Sequence, residues 1–476
     1  MNKRPEILVI IVTWNQKKFI LSLLDSVEKL AYPADRLDII VVDNASKDGT
    51  VEAIREGFPK VRLLVNKENL GGCGGFNTGL DWAFDRPETA YDYLWLLDND
   101  VRVQEHALAE LVDLLETHQD VAVAGSTMMQ LTWPWRINEM GAFVDRGGGR
   151  LFLHRHKEDV IGFRDKTLDE LLRGRRDISS FLENCRPWMD VDYVAAASLL
   201  VRFPVARAAG LWDDYFIHFD DVEWCLRIAQ MGYRIAVSAK SLIWHLSAEK
   251  KVPTWILYYD NRNSLYMVQR YGGEVAVRRL RNRVAKKSFY YSLLGKKDIA
   301  GLLVTAVRDF DAEVKGKKTI TLDPCYHDHE HLWESISAPE VRSILIPWTV
   351  NLQSVDLQGV IVRLMKQRPE VQVDYLVPLH EDEDGILIRQ IPGAVPLYSP
   401  AGRLRRYLWY IRRINSYDIV FQSDYHPLLS LTRMGKKTVF VNDETMNLRT
   451  PPSWRVVLRD LFHCVALQYG SGGTSL

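Results

Sequence analysis

Two aspartates one residue apart, Asp98 and Asp100, end a five-residue apolar run in YLWLLDNDVRV (93–103). On an extended backbone such side chains point the same way, so both carboxylates can reach one point in space. Like charges there repel unless a cation sits between them. Hard oxygen ligands with few protein contacts suit Mg²⁺ or Mn²⁺ carrying a diphosphate. Taken alone, Asp98-Asn99-Asp100 is an ordinary solvated turn, and its chemistry depends on company.

A second acidic pair, Asp220-Asp221, opens DDVEWCLRIAQMGY, whose apolar spacing predicts an amphipathic helix. A helix N-terminus favours ionised carboxylates, and two close ones raise one pKa towards the working range of a general base. Simple N-capping by Asp220 is the plain alternative. His245 closes the apolar stretch SLIWHLS (241–247), where a neutral imidazole can complete a cation's ligand set or simply pack. Between Glu68 and Leu80 lies ENLGGCGGFNTGL, whose glycines let a ligand approach the backbone ahead of a helix N-terminus. It lacks the Lys and Ser/Thr of a phosphate loop and the GxGxxG spacing, so a structural turn is equally consistent. In the cluster Cys325, His327, His329, His331, all four side chains fall on one face of one extended strand. A single strand wraps a tetrahedral ion poorly, so a polar connector is expected rather than zinc.

The elements that must position these residues alternate in type. Apolar runs at 7–14, 37–46, 61–66 and 93–97 read as strands; 18–30, 48–58 and 75–84 read as helices. That alternation predicts a parallel sheet covered on both faces, with ligands beyond the strands' C-terminal ends. VDYVAAASLLVR (191–202) reads as one further strand. With 476 residues, more than one domain is expected. We divide the chain into an α/β domain at 1–255, a helical basic segment at 256–317, a linker at 318–341, a Rossmann-like module at 342–468 and a disordered tail at 469–476. Lys plus Arg (61) balance Asp plus Glu (61), which gives no support to a nucleic-acid partner. Five cysteines without a CxxC pair suit reduced thiols in a cytoplasm. The apolar run near the N-terminus reads as a first strand, since no small-residue cleavage site follows it. No window reaches the roughly 20 apolar residues needed to span a bilayer. Between Arg270 and Lys297 nine basic residues face one acid, with aromatics interleaved, which suits either a solvated helix face or contact with anionic lipid.

In order, IVTWNQ, VVDNAS, NLGGCGGFNTG, WLLDNDV, FDDVEWCLRIAQMGYRI and the later WH resemble the inverting glycosyltransferases of family two, over roughly residues 5–265. The NLGGxGGF form, the FDDxE helix start, IWH and YYDNRN (258–263) are most similar to its galactofuranosyltransferases, and the rhamnosyltransferases share much of this. The resemblance implies a GT-A fold and a set of roles. Thr13 and Asp43 would line the nucleotide pocket; Asn69, Gly74, Gly75, Asn77, Asp98 and Asn99 would lie along nucleotide and diphosphate. Asp98, Asp100 and His245 would hold Mn²⁺ or Mg²⁺. Asp221 would be the base, oriented by Asp220 or Glu223, and Trp212 and Trp244 would meet the acceptor. It further implies UDP-galactofuranose as donor, with dTDP-rhamnose the alternative, and a glycan or glycolipid acceptor. The setting would be the inner face of the cytoplasmic membrane, with 270–297 as the membrane contact. Two rivals stand beside it. One is a non-catalytic nucleotide-sugar or glycan scaffold; the other is a nucleotidyltransferase, which needs a basic residue in the glycine loop, and 68–80 has none.

Overall fold

The computed structural model describes residues 4–87, 90–246, 254–323, 330–352, 356–377, 393–400, 403–443 and 445–469. The Cys/His cluster falls outside them at Cys325, His327 and His329, as do the side chain of His331 and the tail beyond 469. The chain divides into two compact units: residues 1–248, 259–280 and 309–318, and residues 249–258, 281–308 and 319–476.

The first unit starts with the predicted alternation. Strands β1 (Ile7–Thr13), β2 (Leu37–Asp43), β3 (Arg62–Val65) and β4 (Tyr93–Asp98) are linked through helices α1 (Lys17–Glu28), α2 (Thr50–Gly57) and α3 (Gly71–Phe84). There follow β5 (Val101–Val103), α4 (Ala107–Thr117), β6 (Val121–Gln130), β7 (Ile137–Glu139), β8 (Ala142–Asp145), β9 (Arg150–Leu153) and the short α5 (Leu168–Leu171). The unit continues with β10 (Trp188–Val191), β11 (Leu199–Arg202), α6 (Phe203–Ala209), α7 (Asp220–Gln230) and β12 (Arg234–His245). The main sheet runs β10-β12-β6-β11-β4-β1-β2-β3. Pairing directions set β10 and β11 against the other six, giving a mainly parallel α/β sheet.

Alternation along β1 explains the layering. Ile7, Val9 and Ile11 join a core with Ile20, Leu23 and Leu24 of α1 and Leu108, Leu111 and Leu115 of α4. Ile10 and Val12 point the other way, towards α3. Glycines make that second contact close: a Cβ on Gly79 would lie 2.4 Å from Ile10 Cγ2, and one on Gly75 2.4 Å from Val12 Cγ1. The stretch read as one strand at 191–202 is two. β10 ends at Val191, β11 begins at Leu199, and the backbone between them leaves the sheet to reach α7.

The second unit has its own sheet: Val395–Tyr398, Gln372–Val377, Ser343–Pro347, Tyr417–Ser423, Gly435–Val441 and Met446–Arg449. Its first five strands are parallel and the last is antiparallel. In chain order this is 3-2-1-4-5-6, a Rossmann-like arrangement. Helix Leu357–Gln367 buries Leu357, Val360, Ile361 and Leu364 in a core shared with Ile344, Ile346 and Phe421.

Candidate active site

Register does most of the assembly. Parallel pairing sets Thr13 beside Asp43, and Val12 beside Asp98. The C-terminal ends of β2, β1 and β4 therefore carry Asp43, Thr13 and Asp98 on adjacent strands, about 4.8 Å apart. The Asp-Asn-Asp turn then leads directly into β5, which pairs antiparallel with the end of β12 and places Val101 opposite His245. Residues far apart in the chain meet in this way. His245 Nε2 lies 3.2 Å from Asp100 Oδ1. One ligand atom each from Asp98, Asp100 and His245 lie within 4.8 Å of one another.

Electrostatics mark the cluster as built for positive charge. Burial pushes the Asp98 carboxyl up to about 7, and the neighbouring charge of Asp100 adds to it, with a smaller push from Asp221. Burial lowers the His245 pKa, but the hydrogen bond to Asp100 and the charges of Asp100, Asp98 and Glu139 outweigh it, so the net shift is upward. His245 Nδ1 is buried without a hydrogen-bond partner among the described residues. Two carboxylates with one imidazole form the hard oxygen-and-nitrogen set that suits a divalent cation.

The acidic pair opens α7 as expected. Asp220 is buried, and burial together with the charge of Asp221 lifts its pKa to about 7. Asp221 is half-buried; burial raises it too, against hydrogen bonds from two backbone N–H groups. Those donors are Ala196, 3.2 Å from Oδ2, and Val222, 2.8 Å from Oδ1. The loop between β10 and β11 thus holds the carboxylate, a function hidden by its strand-like composition.

The backbone entering α7 is strained. Phe216, His218 and Phe219 have φ of 69°, 66° and 65° without being glycine, each costing on the order of 1–3 kcal/mol. YYDNRN supplies the compensation. Asn263 Nδ2 lies 3.1, 2.8 and 2.9 Å from the carbonyl oxygens of Tyr215, Ile217 and His218, and the Arg262 guanidinium donates to those of Tyr215 and Gly316. Asp260 Oδ1 lies 2.6 Å from His218 Nδ1. His218 carries positive character towards Asp98, Asp220 and Asp221, holding each of their pKa values down. Sequence reasoning missed it, and its only signal was a place two residues before the acidic pair.

Several candidates have other duties. Glu223 is wholly buried and pairs with Arg227 and Arg270, also accepting from Tyr271 Oη, so it clamps α7 and cannot orient the base. Trp244 is wholly buried with Nε1 donated to the Pro134 carbonyl, which removes it from acceptor contact. Trp212 is 4% exposed, wedged between Phe76 and Trp224, and offers no open ring face. Asn77 exchanges two hydrogen bonds with the Trp212 backbone. Gly75 is buried, and its bare Cα packs against Val12 and Asn44. The glycine stretch is a helix from Gly71 onwards, earlier than the expected start at 75. Asn69 Oδ1 accepts from Gly71 N just before the helix, while Asn44 Nδ2 donates to the Gly71 carbonyl. Asn69, Gly74 and Asn77 border a cleft of about 510 Å³ with Asp214, Phe216 and Lys317, none of which belongs to the acidic cluster. Thr13 is buried and accepts from Asn99 Nδ2 at 2.8 Å, which ties β1 to the Asp-Asn-Asp turn. Asp43 is fully buried; Oδ1 accepts from Ser46 N and Oδ2 has no partner among the described residues.

Residues 8–163, about a third of the chain, match the family model described as Glycosyl transferase family 2. The match includes Asp98 and Asp100 and ends before the acidic pair and His245. Over that stretch the chain is similar to family-two glycosyltransferases. It is 26% identical over 207 residues to galactofuranosyltransferase GlfT2 of Mycobacterium tuberculosis, covering 43% of this chain and 31% of that protein. It is 24% identical over 315 residues to galactofuranosyltransferase GlfT1 of Mycolicibacterium smegmatis, covering 63% of this chain and 94% of that one. The chain spans 31% of the length of the first two curated relatives it matches. A crystal structure of Staphylococcus aureus TarS 1–349 with UDP-GlcNAc aligns over 65% of this chain and 81% of that one, at 18% identity and a TM-score of 0.40.

Proposed function

We propose that the first unit is an inverting, metal-dependent glycosyltransferase, moving galactofuranose from UDP-galactofuranose to a hydroxyl of a lipid-linked, cell-surface glycan at the inner face of the cytoplasmic membrane. The observation that carries the reaction class is the convergence of Asp98, Asp100 and His245, with Asp221 close enough for its charge to raise the Asp98 pKa. The sugar rests on the two galactofuranosyltransferase relatives and on the motif forms shared with that group.

Asp98, Asp100 and His245 would hold Mn²⁺ or Mg²⁺, which stabilises negative charge on a departing diphosphate. The chain's residues do the rest. Asp221 accepts the proton of the attacking hydroxyl; the Ala196 and Val222 N–H groups favour its ionised form against the burial that raises its pKa. The acceptor oxygen bonds to the anomeric carbon as the bond to the diphosphate breaks, and the nucleoside diphosphate leaves with that electron pair. Asp43 would accept from the nucleoside, a role supported by its position at the end of β2 and by an Oδ2 that has no hydrogen-bond partner among the described residues.

The test is product formation from a lipid-linked acceptor with UDP-galactofuranose, dTDP-rhamnose and other nucleotide sugars. Asp221→Asn should lower transfer about 10²–10⁴-fold with UDP binding retained. Wild-type rates from that variant would sink the assignment of the base. Transfer from dTDP-rhamnose alone would replace the sugar and keep the class.

A further inference from the structure

The second unit carries two helices whose apolar sides face outward. In Arg403–Ile411 (RLRRYLWYI) the residues at i, i+3, i+4 and i+7 are Leu404, Tyr407, Leu408 and Ile411. An amphipathic helix normally buries such a stripe. Here Leu404 is 72% and Tyr407 64% exposed, and Leu408 and Ile411 are exposed as well. The helix is anchored instead by Trp409 and Tyr410, which pack on Leu345, Val420 and Leu431. Trp454–Tyr469 repeats the arrangement: Trp454, Leu458, Leu461, Phe462 and Val465 share one side, with Trp454 68% and Phe462 75% exposed. Val457 and Cys464 turn inward. The two helices meet the body of the unit in one neighbourhood. Leu431 and Met434 share the core that anchors the first, and Arg433 sits between them in sequence, its guanidinium 5.4 Å from the Trp454 ring centroid.

Charge identifies the occupant. From Gly393 to Tyr417 the chain contains no acidic residue and five arginines, at 403, 405, 406, 412 and 413. Arg405 and Arg412 flank the apolar stripe by helical spacing and are exposed, as are Arg455 and Arg459 beside the second stripe, where Arg459 also pairs with Asp460 at 3.0 Å. Leu, Trp, Tyr and Phe on one face with Arg along its edge is the composition of a helix lying in a bilayer interface. A second copy would bring the same arginines face to face, since a two-fold contact pairs a patch with itself. Among the described residues no helix is long and apolar enough to cross a membrane.

In the segment 270–297, the expected membrane contact, Val275 and Tyr290 are exposed, while Leu280, Val284, Ala285 and Leu294 are buried and Phe289, Tyr291 and Leu293 half-buried, so it shows no apolar stripe like those of the two helices.

We propose that these two helices form a peripheral docking surface for an anionic lipid bilayer, Leu404/Tyr407/Leu408/Ile411 and Trp454/Leu458/Phe462 entering the interface while the flanking arginines meet headgroup phosphates. The assignment stands independently of the transfer reaction.

The experiment is vesicle co-flotation of the full chain, comparing phosphatidylcholine alone with vesicles that are about one third phosphatidylglycerol. Wild type should float with the anionic vesicles, and raised salt should weaken that binding. Leu404→Glu/Leu408→Glu and Leu458→Glu/Phe462→Glu should each lose at least about tenfold, and Arg405→Glu/Arg412→Glu about fivefold or more per arginine. All these sites are exposed, so the thermal midpoint should stay unchanged and report intact folding. Equal binding to neutral vesicles, or no effect of the substitutions, would overturn the proposal. So would a concentration-dependent dimer, without vesicle binding, that the same substitutions dissociate. Binding that arises only after Glu381, Asp382, Glu383 and Asp384 are replaced by serine would assign the patch to that acidic segment instead.

Discussion

Asp98 is the residue whose protonation should govern the cation site. Without a cation its pKa is raised from 3.8 to about 7, by burial first and then by Asp100. The sign follows from linkage: a carboxyl whose folded pKa is raised holds its proton more tightly folded than unfolded. Its contribution to stability is therefore largest at low pH and declines as pH rises from about 4 through 7. A bound divalent cation reverses that decline, because it must displace the proton and then neutralises the charge. Mn²⁺ should thus raise the thermal midpoint more at pH 8 than at pH 5.5, with apparent affinity falling up to about tenfold per pH unit below 7. Asp100→Ala and His245→Ala should each abolish most of the Mn²⁺ shift at pH 8. A shift equal at both pH values, or preserved in both variants, would remove the cation from this cluster. At this scale the sequence was a good guide wherever local spacing decided the geometry. Asp98 and Asp100 were legible as a pair, although they converge because a turn at 99–100 carries Asp100 from the end of β4 into β5, not because the backbone there is extended. Asp220-Asp221 open a helix because apolar periodicity starts there. His218, Asp260 and Asn263 were not legible as site residues, because left-handed backbone at Phe216, His218 and Phe219 and the carbonyls around it have no periodicity to read.

At the scale of elements, the glycines show how one stretch can satisfy two readings. A glycine-rich stretch before a helix suggests a cradle for phosphate, yet Gly71 to Leu80 is already helical and two of its glycines face β1. The sequence cannot distinguish a glycine that admits a ligand from one that admits a neighbouring strand, since both need a missing Cβ. Two substitutions separate these roles. Gly75→Ala must fit a Cβ 2.4 Å from Val12 Cγ1 and 2.9 Å from Asn44 Nδ2, and should destabilise by about 1–3 kcal/mol in a denaturant titration. Gly72→Ala meets nothing within 4 Å and should be neutral or stabilising by up to about 1 kcal/mol, because alanine favours helix. If Gly75→Ala left stability untouched while Gly72→Ala abolished UDP binding, the ligand-cradle reading would return. The same limit explains 191–202. Its composition suits a strand, and only the antiparallel course of β11 against β4 and β6 shows that the chain must leave the sheet and return.

At the scale of the whole molecule, each unit has a separate sheet and its own buried core. Alternating strands and helices made both α/β units legible in sequence. The helix Ile256–Leu293 was harder, because it reads as one basic segment while Gly273 interrupts it with φ 74° and ψ −178°, and its residues fall into both units. Every residue proposed to hold donor or cation lies in the first unit. A ligand that binds only the folded form stabilises the cooperative unit containing its site, by about 4 kcal/mol at a thousand times Kd. For a domain of this size that is roughly 8–12 °C. Calorimetry of the full chain with saturating UDP and Mn²⁺ should therefore move one transition upward and leave the other within about 1 °C. Anionic vesicles should do the reverse, acting on the transition of the second unit, since Leu404 and Phe462 belong to it. Two transitions that moved together with either ligand would mean that the units unfold as one, and independent stabilisation of the first unit would have to be abandoned.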